Sequence, residues 1–399
     1  MRMSEMTRAR EGHLRWSLVI MAVGLAVGLL AGFAPQRCHA IETKARQALL
    51  IDMQTGAVMF EKNADEPMGP ASMTKIMTVY MLFDRLKKGE LRLNDTLTIS
   101  ENAWSRGGAA SQGSTMFLKV GDRVRVEDLL HGIIVQSGND ASIAVAEGLA
   151  GSETAFAEEM NRKAREIGMR NTHFRNASGL PEPDHLTTAR DLALLARHTI
   201  EDFPEYYNFY SEREFFYNSI RQGNRNPLLY KAGGADGLKT GHTKTSGYGL
   251  TASAIRGGRR LVLVINGLGS MQERSDEAQR LLDYGFHEFE NVQLFKAGEE
   301  VAKAEVWYGE TRELPLVTQR DILVTLPRTA RPGMNVVVRY TGPVPAPIAQ
   351  GQPLAVLKID TPGVGPIEQS LVAGTPVERL GVFGRLVFAI KHLAGSLAG

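Results

Sequence analysis

Proline placement constrains this chain more than any other feature. Proline has no backbone N–H to donate, and it breaks helices and central strands. Ten of the 17 prolines fall after Val292, at positions 315, 327, 332, 343, 345, 347, 353, 362, 366 and 376. Long helices are therefore excluded between residues 291 and 376. The runs left between the breaks, among them Asp321 to Leu326, Asn335 to Tyr340 and Leu354 to Ile359, are short and apolar. Such runs with Pro and Gly between them predict a small all-β domain over 291–376. Neither His nor Cys occurs from Glu288 through Lys391, which leaves that domain poor in catalytic chemistry.

Residues 41–290 mix two periodicities. Ala48 to Asp52 and Ala57 to Glu61 flank Gln54-Thr55-Gly56, and Tyr248 to Ile255 and Arg260 to Leu268 flank Gly257-Gly258. Both patterns predict β-hairpins. Between them Pro67 to Pro70 breaks the chain. Ile76 to Leu86, Val126 to Val135, Ala141 to Ala150, Glu153 to Ile167 and Ala189 to Ile200 then read as helices. Strands at both ends with helices between them predict an α+β domain whose terminal strands share one antiparallel sheet.

The one long apolar run is N-terminal. Trp16 to Ala34 carries no charge, follows Arg2, Arg8, Arg10 and Arg15, and leads to Cys38-His39-Ala40. Residues 1–40 read as a signal peptide cleaved after Ala40, with an uncleaved N-terminal anchor as the alternative. The 399 residues include 46 basic and 44 acidic ones, a net charge of +2. Five of the basic and two of the acidic residues lie in 1–40, so the mature chain has 41 and 42, a net −1. That balance argues against a nucleic-acid partner. Cys38 is the only cysteine and leaves with the segment. An exported chain without cysteine has no disulfides, thiol nucleophile or thiolate ligands. Its nucleophile must be Ser, Thr or Lys.

Three short motifs carry that chemistry. Ser72-Met73-Thr74-Lys75 stands where the Pro-rich turn enters an apolar helix. A spacing of three puts both side chains on one face, and an amine with a lowered pKa can take the serine proton. Alone, Ser72 also reads as a helix N-cap. Ser137-Gly138-Asn139 follows 65 residues later, after Ile133-Ile134-Val135. A hydroxyl and an amide there offer a proton relay and an orienting group, or else a helix stop followed by a cap. Lys239-Thr240-Gly241 lies another 102 residues on, before the Tyr248 strand. It offers a cation, a hydroxyl and close backbone approach, or only a strand-entry turn.

Taken together and in this order, Ser-x-x-Lys, Ser-x-Asn and Lys-Thr-Gly resemble the penicillin-interacting serine acyl-transferases. The flanks Ala71 to Thr78, Ser137 to Ala141 and Asp236 to Thr243 are similar to the low-molecular-mass D-alanyl-D-alanine carboxypeptidases. So are Ser178-Gly179-Leu180-Pro181 and Thr188-Ala189-Arg190-Asp191. The resemblance covers about 41 to 390. It implies a penicillin-binding/β-lactamase-like α+β domain, a small all-β domain and a C-terminal amphipathic helix. It implies removal of the terminal D-alanine from peptidoglycan stem pentapeptides, and acylation by β-lactams. Ser72 would be the nucleophile and Lys75 the general base. Ser137 would relay the proton to the leaving amine, and Asn139 would orient Lys75 and the substrate amide. Lys239, with Thr240 and Gly241, would hold the electrostatics of the substrate strand, and the N–H groups of Ser72 and His242 would form the oxyanion hole. Arg274, ahead of a helix over Asp276 to Tyr284, would bind the terminal carboxylate. Lys239 would also be the second cation that lowers the Lys75 pKa. No cofactor or metal is implied.

The alternatives are a class A-like β-lactamase and a D,D-endopeptidase of the same fold. The first calls for Ser-Asp-Asn where this chain has Ser137-Gly138-Asn139, and for a deacylating Glu; no matching Glu-x-x-Leu-Asn stands there, although Glu182 lies in a loop of roughly the right region. Zinc peptidases are excluded, because no His-x-x-x-His pair occurs. In 377–399, Phe383, Leu386, Ile390, Leu393 and Leu397 form one helical stripe, with Arg385 and His392 opposite, Lys391 on the flank and Phe388 on the polar side. Periodicity alone leaves two readings open: an interfacial membrane helix and a terminal helix docked on its own protein. The resemblance favours the first and implies an exported protein on the outer, periplasmic face of the cytoplasmic membrane.

Overall fold

Gly257 and Gly258 have φ of 56° and 79°, the pair of left-handed residues that a two-residue hairpin turn requires. They join the strands Gly247–Arg256 and Arg259–Leu268, which pair antiparallel from Arg256↔Arg259 outward. In the computed structural model, which describes residues 41–231, 233–362 and 364–396, this hairpin is the centre of a five-stranded antiparallel sheet. Gln47–Asp52 pairs with Arg259–Leu268 and carries Val58–Lys62 on its other edge. Ala235–Thr243 closes the opposite edge against Gly247–Arg256. The expected sharing of one sheet by the terminal strands is thus observed. Residues 1–40, and with them the predicted signal segment, lie outside the described residues.

Both faces of the sheet are covered, which is why its strands read as continuous apolar runs. Leu49, Ile51, Val262 and Val264 enter the core shared with the helices. Leu50 and Leu261 point the other way, to the helix Met271–Glu288. A Cβ on Gly285 of that helix would sit 2.8 Å from both Leu50 Cδ2 and Leu261 Cδ1, so a glycine is needed for the helix to lie this close. The helices on the other face are Lys75–Lys87, Asn139–Ala150, Glu153–Glu166 and Ala189–Asp202. The expected helix Val126 to Val135 is α-helical only through His131 and then widens into a π turn over Gly132–Gln136.

The chain leaves the helix Met271–Glu288 directly into Phe289–Phe295, which pairs with Ile322–Pro327. A six-stranded sheet follows, in the order Asn335–Tyr340, Pro353–Thr361, Val364–Ala373, Glu313–Thr318, Glu300–Trp307 and Val344–Pro345. Its core is separate and built from Leu314, Leu316, Leu357, Ile359 and Leu371, among others. Arg259 spans the junction with the first sheet, donating to Asp52 Oδ2 at 2.7 Å and to the carbonyls of Gly285 and Phe289.

The terminal helix Val382–Ser396 packs through the residue that periodicity placed on the polar side. The Phe388 ring lies 5.3 Å from that of Tyr308, while Phe383 is 87% and Leu386 and Ile390 each 58% exposed. The correction follows from sequence spacing alone being blind to a neighbouring ring. Leu397 and the side chains of Lys391, His392 and Leu393 lie outside the described residues.

Candidate active site

Ser72 does not cap a helix. It sits in a 3-10 turn, Ala71–Thr74, that precedes the α-helix starting at Lys75, and neither segment has a side-chain cap. Residues three apart eclipse in such a turn, which brings Lys75 Nζ to 3.1 Å from Ser72 Oγ. The turn is held from behind. Thr78 Oγ1 donates to the Ala177 carbonyl at 2.6 Å, and Thr74 Oγ1 lies 2.9 Å from His185 Nε2. His185 Nδ1 accepts from the Arg175 N–H, so the proton is on Nε2 and is donated to Thr74. Burial holds this imidazole down to about 4, neutral at physiological pH.

Lys75 is fully buried, and its amine has two further neighbours: Asn139 Oδ1 at 2.8 Å and the Ser178 carbonyl at 2.5 Å. Both can only accept. A neutral amine has two N–H donors and one lone pair. With both donors occupied, its lone pair is left facing Ser72 Oγ–H. Burial brings the Lys75 pKa down to about 7, and the Arg225 guanidinium adds to the effect, while Asp140 and Glu153 oppose it. Arg225 thus joins Lys239, which Lys75 repels in turn, as a cation acting on Lys75. Arg225 reaches in from a loop and donates to Ser114 Oγ at 2.5 Å. Nothing in its sequence neighbourhood marks it, because 150 residues separate it from Lys75.

The Ser178 carbonyl is placed by a tight loop. Asn176 Oδ1 accepts from the N–H groups of Ser178 and Gly179, and Asn176 Nδ2 donates to the Leu180 carbonyl. Gly179 has φ of 81°, and a Cβ there would fall 1.8 Å from the Ala71 carbonyl oxygen. This glycine lets the loop press against the turn that carries Ser72.

Ser137 ends the π turn in left-handed geometry, with φ of 66° and ψ of 31°. Its Oγ is buried without a hydrogen-bond partner. A buried hydroxyl left unpaired is costly, and one facing a reaction site is available to a substrate. Asn139 is the first residue of the next helix, its N–H bonded to the Ser114 carbonyl at 2.7 Å. Asp140 ties down the facing segment by accepting from Thr115 Oγ1 and from the N–H groups of Met116 and Leu118.

Lys239 and Thr240 are buried in the edge strand. Among the described residues, Lys239 Nζ has only a long 3.5 Å contact to the Thr240 carbonyl. Burial, together with Lys75, Arg225 and Arg274, pushes its pKa well below that of an ordinary lysine. A Cβ on Gly241 would meet the Pro70 carbonyl oxygen at 2.9 Å, so the strand lies directly against the turn that carries Ser72. His242 is exposed and stacks on Tyr248 with centroids 3.9 Å apart. Arg274 lies over the same Tyr248 ring at 5.8 Å.

Arg274 is not ahead of its helix. The helix begins at Met271, capped by Ser270 Oγ, and Arg274 is in its first turn. The cap was hidden because the apolar periodicity starts later. Arg274 is 6% exposed, its Nε is unpartnered, and burial lowers its pKa to about 10. Lys75, Lys239, Arg225 and Arg274 thus focus positive potential on one groove, which suits an anionic ligand. Glu182 instead lies 3.9 Å from Arg106. Among the described residues, no group of three or more His, Cys, Asp or Glu is placed to hold a metal ion.

Comparison with known proteins identifies the family. Residues 34–269 match a family model described as D-alanyl-D-alanine carboxypeptidase, and residues 289–379 match the C-terminal domain of penicillin-binding protein 5. The chain is 40% identical over 374 residues to the D-alanyl-D-alanine carboxypeptidase DacC of Escherichia coli K12, covering 91% of this chain and 94% of that one. The crystal structure of penicillin binding protein 5 from Haemophilus influenzae superposes with a TM-score of 0.76 at 36% identity, covering 85% of this chain and 99% of that one. Penicillin-binding protein D2 from Listeria monocytogenes, in its ampicillin-bound form, matches at 28% identity and a TM-score of 0.54, covering 62% of this chain and 99% of that one.

Proposed function

Because the chain belongs to the D-alanyl-D-alanine carboxypeptidase family, we propose that Ser72 is its nucleophile and Lys75 its general base. The protein is a serine-type D-Ala-D-Ala carboxypeptidase of the penicillin-binding group. The observation that carries the residue assignment is the Lys75 amine, with its two N–H groups engaged and its lone pair left to Ser72.

The reaction follows from that arrangement. Ser72 Oγ attacks the carbonyl between the two terminal D-alanines while Lys75 Nζ takes its proton. The negative oxygen is received by the N–H groups of Ser72 and His242, where preorganised donors stabilise developing charge. The proton returns to the leaving amine through Ser137 Oγ, and free D-alanine departs. Water then cleaves the ester, Lys75 again taking the proton. Asn139 orients Lys75 and the substrate amide. Lys239, Thr240 and Arg274 bind the terminal carboxylate, which supplies the anion their buried charges lack. A β-lactam enters by the same attack, and its ring amide opens onto Ser72.

The terminal helix is assigned to a membrane surface. Phe388 turns towards Tyr308 of the β domain, while Phe383, Leu386, Val387 and Ile390 are exposed. No described helix is long and apolar enough to cross a membrane, and an interfacial helix does not need to be. Together with export through residues 1–40, this bare face supports a position on the outer face of the cytoplasmic membrane.

The deciding test is mass spectrometry of wild type and Ser72→Ala with a labelled penicillin and a pentapeptide. Wild type is expected to carry the label on Ser72 for minutes or longer and to release D-alanine; the variant does neither while keeping its fold. Acylation of Ser72→Ala at the wild-type rate overturns the assignment. Rapid multiple turnover of penicillin without action on the peptide would make it a β-lactamase.

A further inference from the structure

His185 is buried behind the turn that carries Ser72, yet the proposed reaction gives it no task. It cannot serve as a base. Its Nδ1 accepts from the Arg175 N–H at 3.3 Å and its Nε2 donates to Thr74 Oγ1 at 2.9 Å, so neither nitrogen has a lone pair to offer a water. Its place in the fold is fixed by its neighbours. Leu186 exchanges two backbone hydrogen bonds with His173, at 3.0 and 2.8 Å, and Thr187 exchanges two with Met68, at 2.9 and 2.8 Å. The ring stands edge-on to Phe174, with centroids 5.9 Å apart. An imidazole held by its backbone, its ring edge and its Nδ1 aims the single Nε2–H at one spot.

Thr74 occupies that spot. It is fully buried and ends the 3-10 turn Ala71–Thr74, in which the Lys75 N–H bonds back to the Ser72 carbonyl. Residues three apart eclipse in such a turn. In an α turn the same two residues would stand about 60° apart around the helix axis. The turn has no side-chain cap, and its hydrogen-bond geometry is poorer than that of the α-helix it enters. Something outside it has to keep it wound. The loop that carries His185 also accepts from Lys75 Nζ and from Thr78 Oγ1, but both of these lie in the α-helix beyond the turn. We propose that His185 is a positioning residue: by donating to Thr74 it keeps the 3-10 turn wound, so that Ser72 stays eclipsed with Lys75 and ready for attack. The proposal rests on the assignment of Ser72 and Lys75 and adds a group that acts on them only through Thr74.

The test uses His185→Gln and His185→Asn, which separate the two ring nitrogens. A Gln amide reaches the Nε2 position and keeps an N–H for Thr74. An Asn amide reaches only the Nδ1 position, where it still accepts from the Arg175 N–H but leaves Thr74 alone. A fluorescent penicillin reports the non-covalent affinity and the acylation rate constant separately, and thermal melting reports stability. His185→Asn should acylate about tenfold to a hundredfold more slowly, the scale of a misplacement of about 1 Å. Its non-covalent affinity should be unchanged, and the pH limb through about 7 should stay in place because one neutral group replaces another. His185→Gln should recover most of the lost rate. Thr74→Val should be as slow as His185→Asn, and combining the two should cost nothing further. Acylation of His185→Asn at the wild-type rate overturns the proposal. So does His185→Gln as slow as His185→Asn, or a double variant whose loss is the product of the two single losses. If His185→Asn does not fold, a fast His185→Gln beside a slow Thr74→Val supports the proposal, and equal rates of those two overturn it. If wild type takes no label on Ser72, the Ser72 assignment has failed and the role of His185 with it. If Ser72 is labelled and the His185 variants match wild type, only the role of His185 has failed.

Discussion

With Lys75 as the proposed general base, its pKa governs catalysis near neutrality, and Arg225 is one of the groups that tune it. An ordinary lysine is the free amine in only about one molecule in 2500 at pH 7. At a pKa of about 7, Lys75 is the free amine in roughly half of them. The change from 10.5 to about 7 corresponds to roughly 5 kcal/mol against carrying the charge. Burial is the largest cause and Arg225 the next. In Arg225→Gln the burial stays, and a polar group still faces Ser114. The Lys75 pKa should rise, by roughly half a unit to one unit for a solvent-accessible cation. Since only the free amine accepts the Ser72 proton, acylation should rise with pH through about 7 in wild type, and that limb should move to higher pH in the variant. At pH 6 the variant should be about threefold to tenfold slower, and above pH 9 the two should converge. Glu153→Gln should move the limb the other way, because Glu153 favours the charged amine. The assay is the rate of acylation by a fluorescent penicillin from pH 5.5 to 9.5. A limb that stays in place in Arg225→Gln, or moves to lower pH, refutes the argument.

Three further outcomes are expected. Lys239→Met should abolish carboxypeptidase activity yet stabilise the fold near pH 7 by about 1–3 kcal/mol, since a buried amine with one 3.5 Å contact and cationic neighbours is replaced by an apolar chain of similar size. Denaturant melts of both proteins check this, and the gain should shrink as pH rises towards the unfolded-state pKa, where the wild-type amine no longer has to lose a proton on folding. Gly179→Ala should cost roughly 2–4 kcal/mol and displace the nucleophile turn, as its Cβ would overlap the Ala71 carbonyl; thermal melting and penicillin acylation should fall together. Deleting residues 382–399 should release the protein from anionic vesicles without changing kcat/KM on a small peptide, and equal co-sedimentation of both forms would leave the helix with no membrane role.

Local chemistry is legible in this sequence wherever neighbouring residues settle the outcome. Gly257-Gly258 specifies a hairpin turn by itself, and the prolines after Val292 forbid long helices whatever surrounds them. Ser72 and Lys75 are three residues apart, so any helical turn brings them together. The three motifs in order were likewise enough to point to a family and to nine candidate site residues. Other features depend on segments that meet only in the folded chain. Arg225 acts on Lys75 across 150 residues, and Ser178 lends it a backbone carbonyl whose position depends on Gly179 passing under Ala71. No periodicity encodes a carbonyl that happens to face an amine. The helix carrying Arg274 starts earlier than its apolar pattern because Ser270 caps it, and Phe388 turns inward because Tyr308 is there to meet it. The same holds for the free energies: a sequence lists which groups can titrate, but burial decides the pKa of Lys75, and burial is a property of everything packed around it.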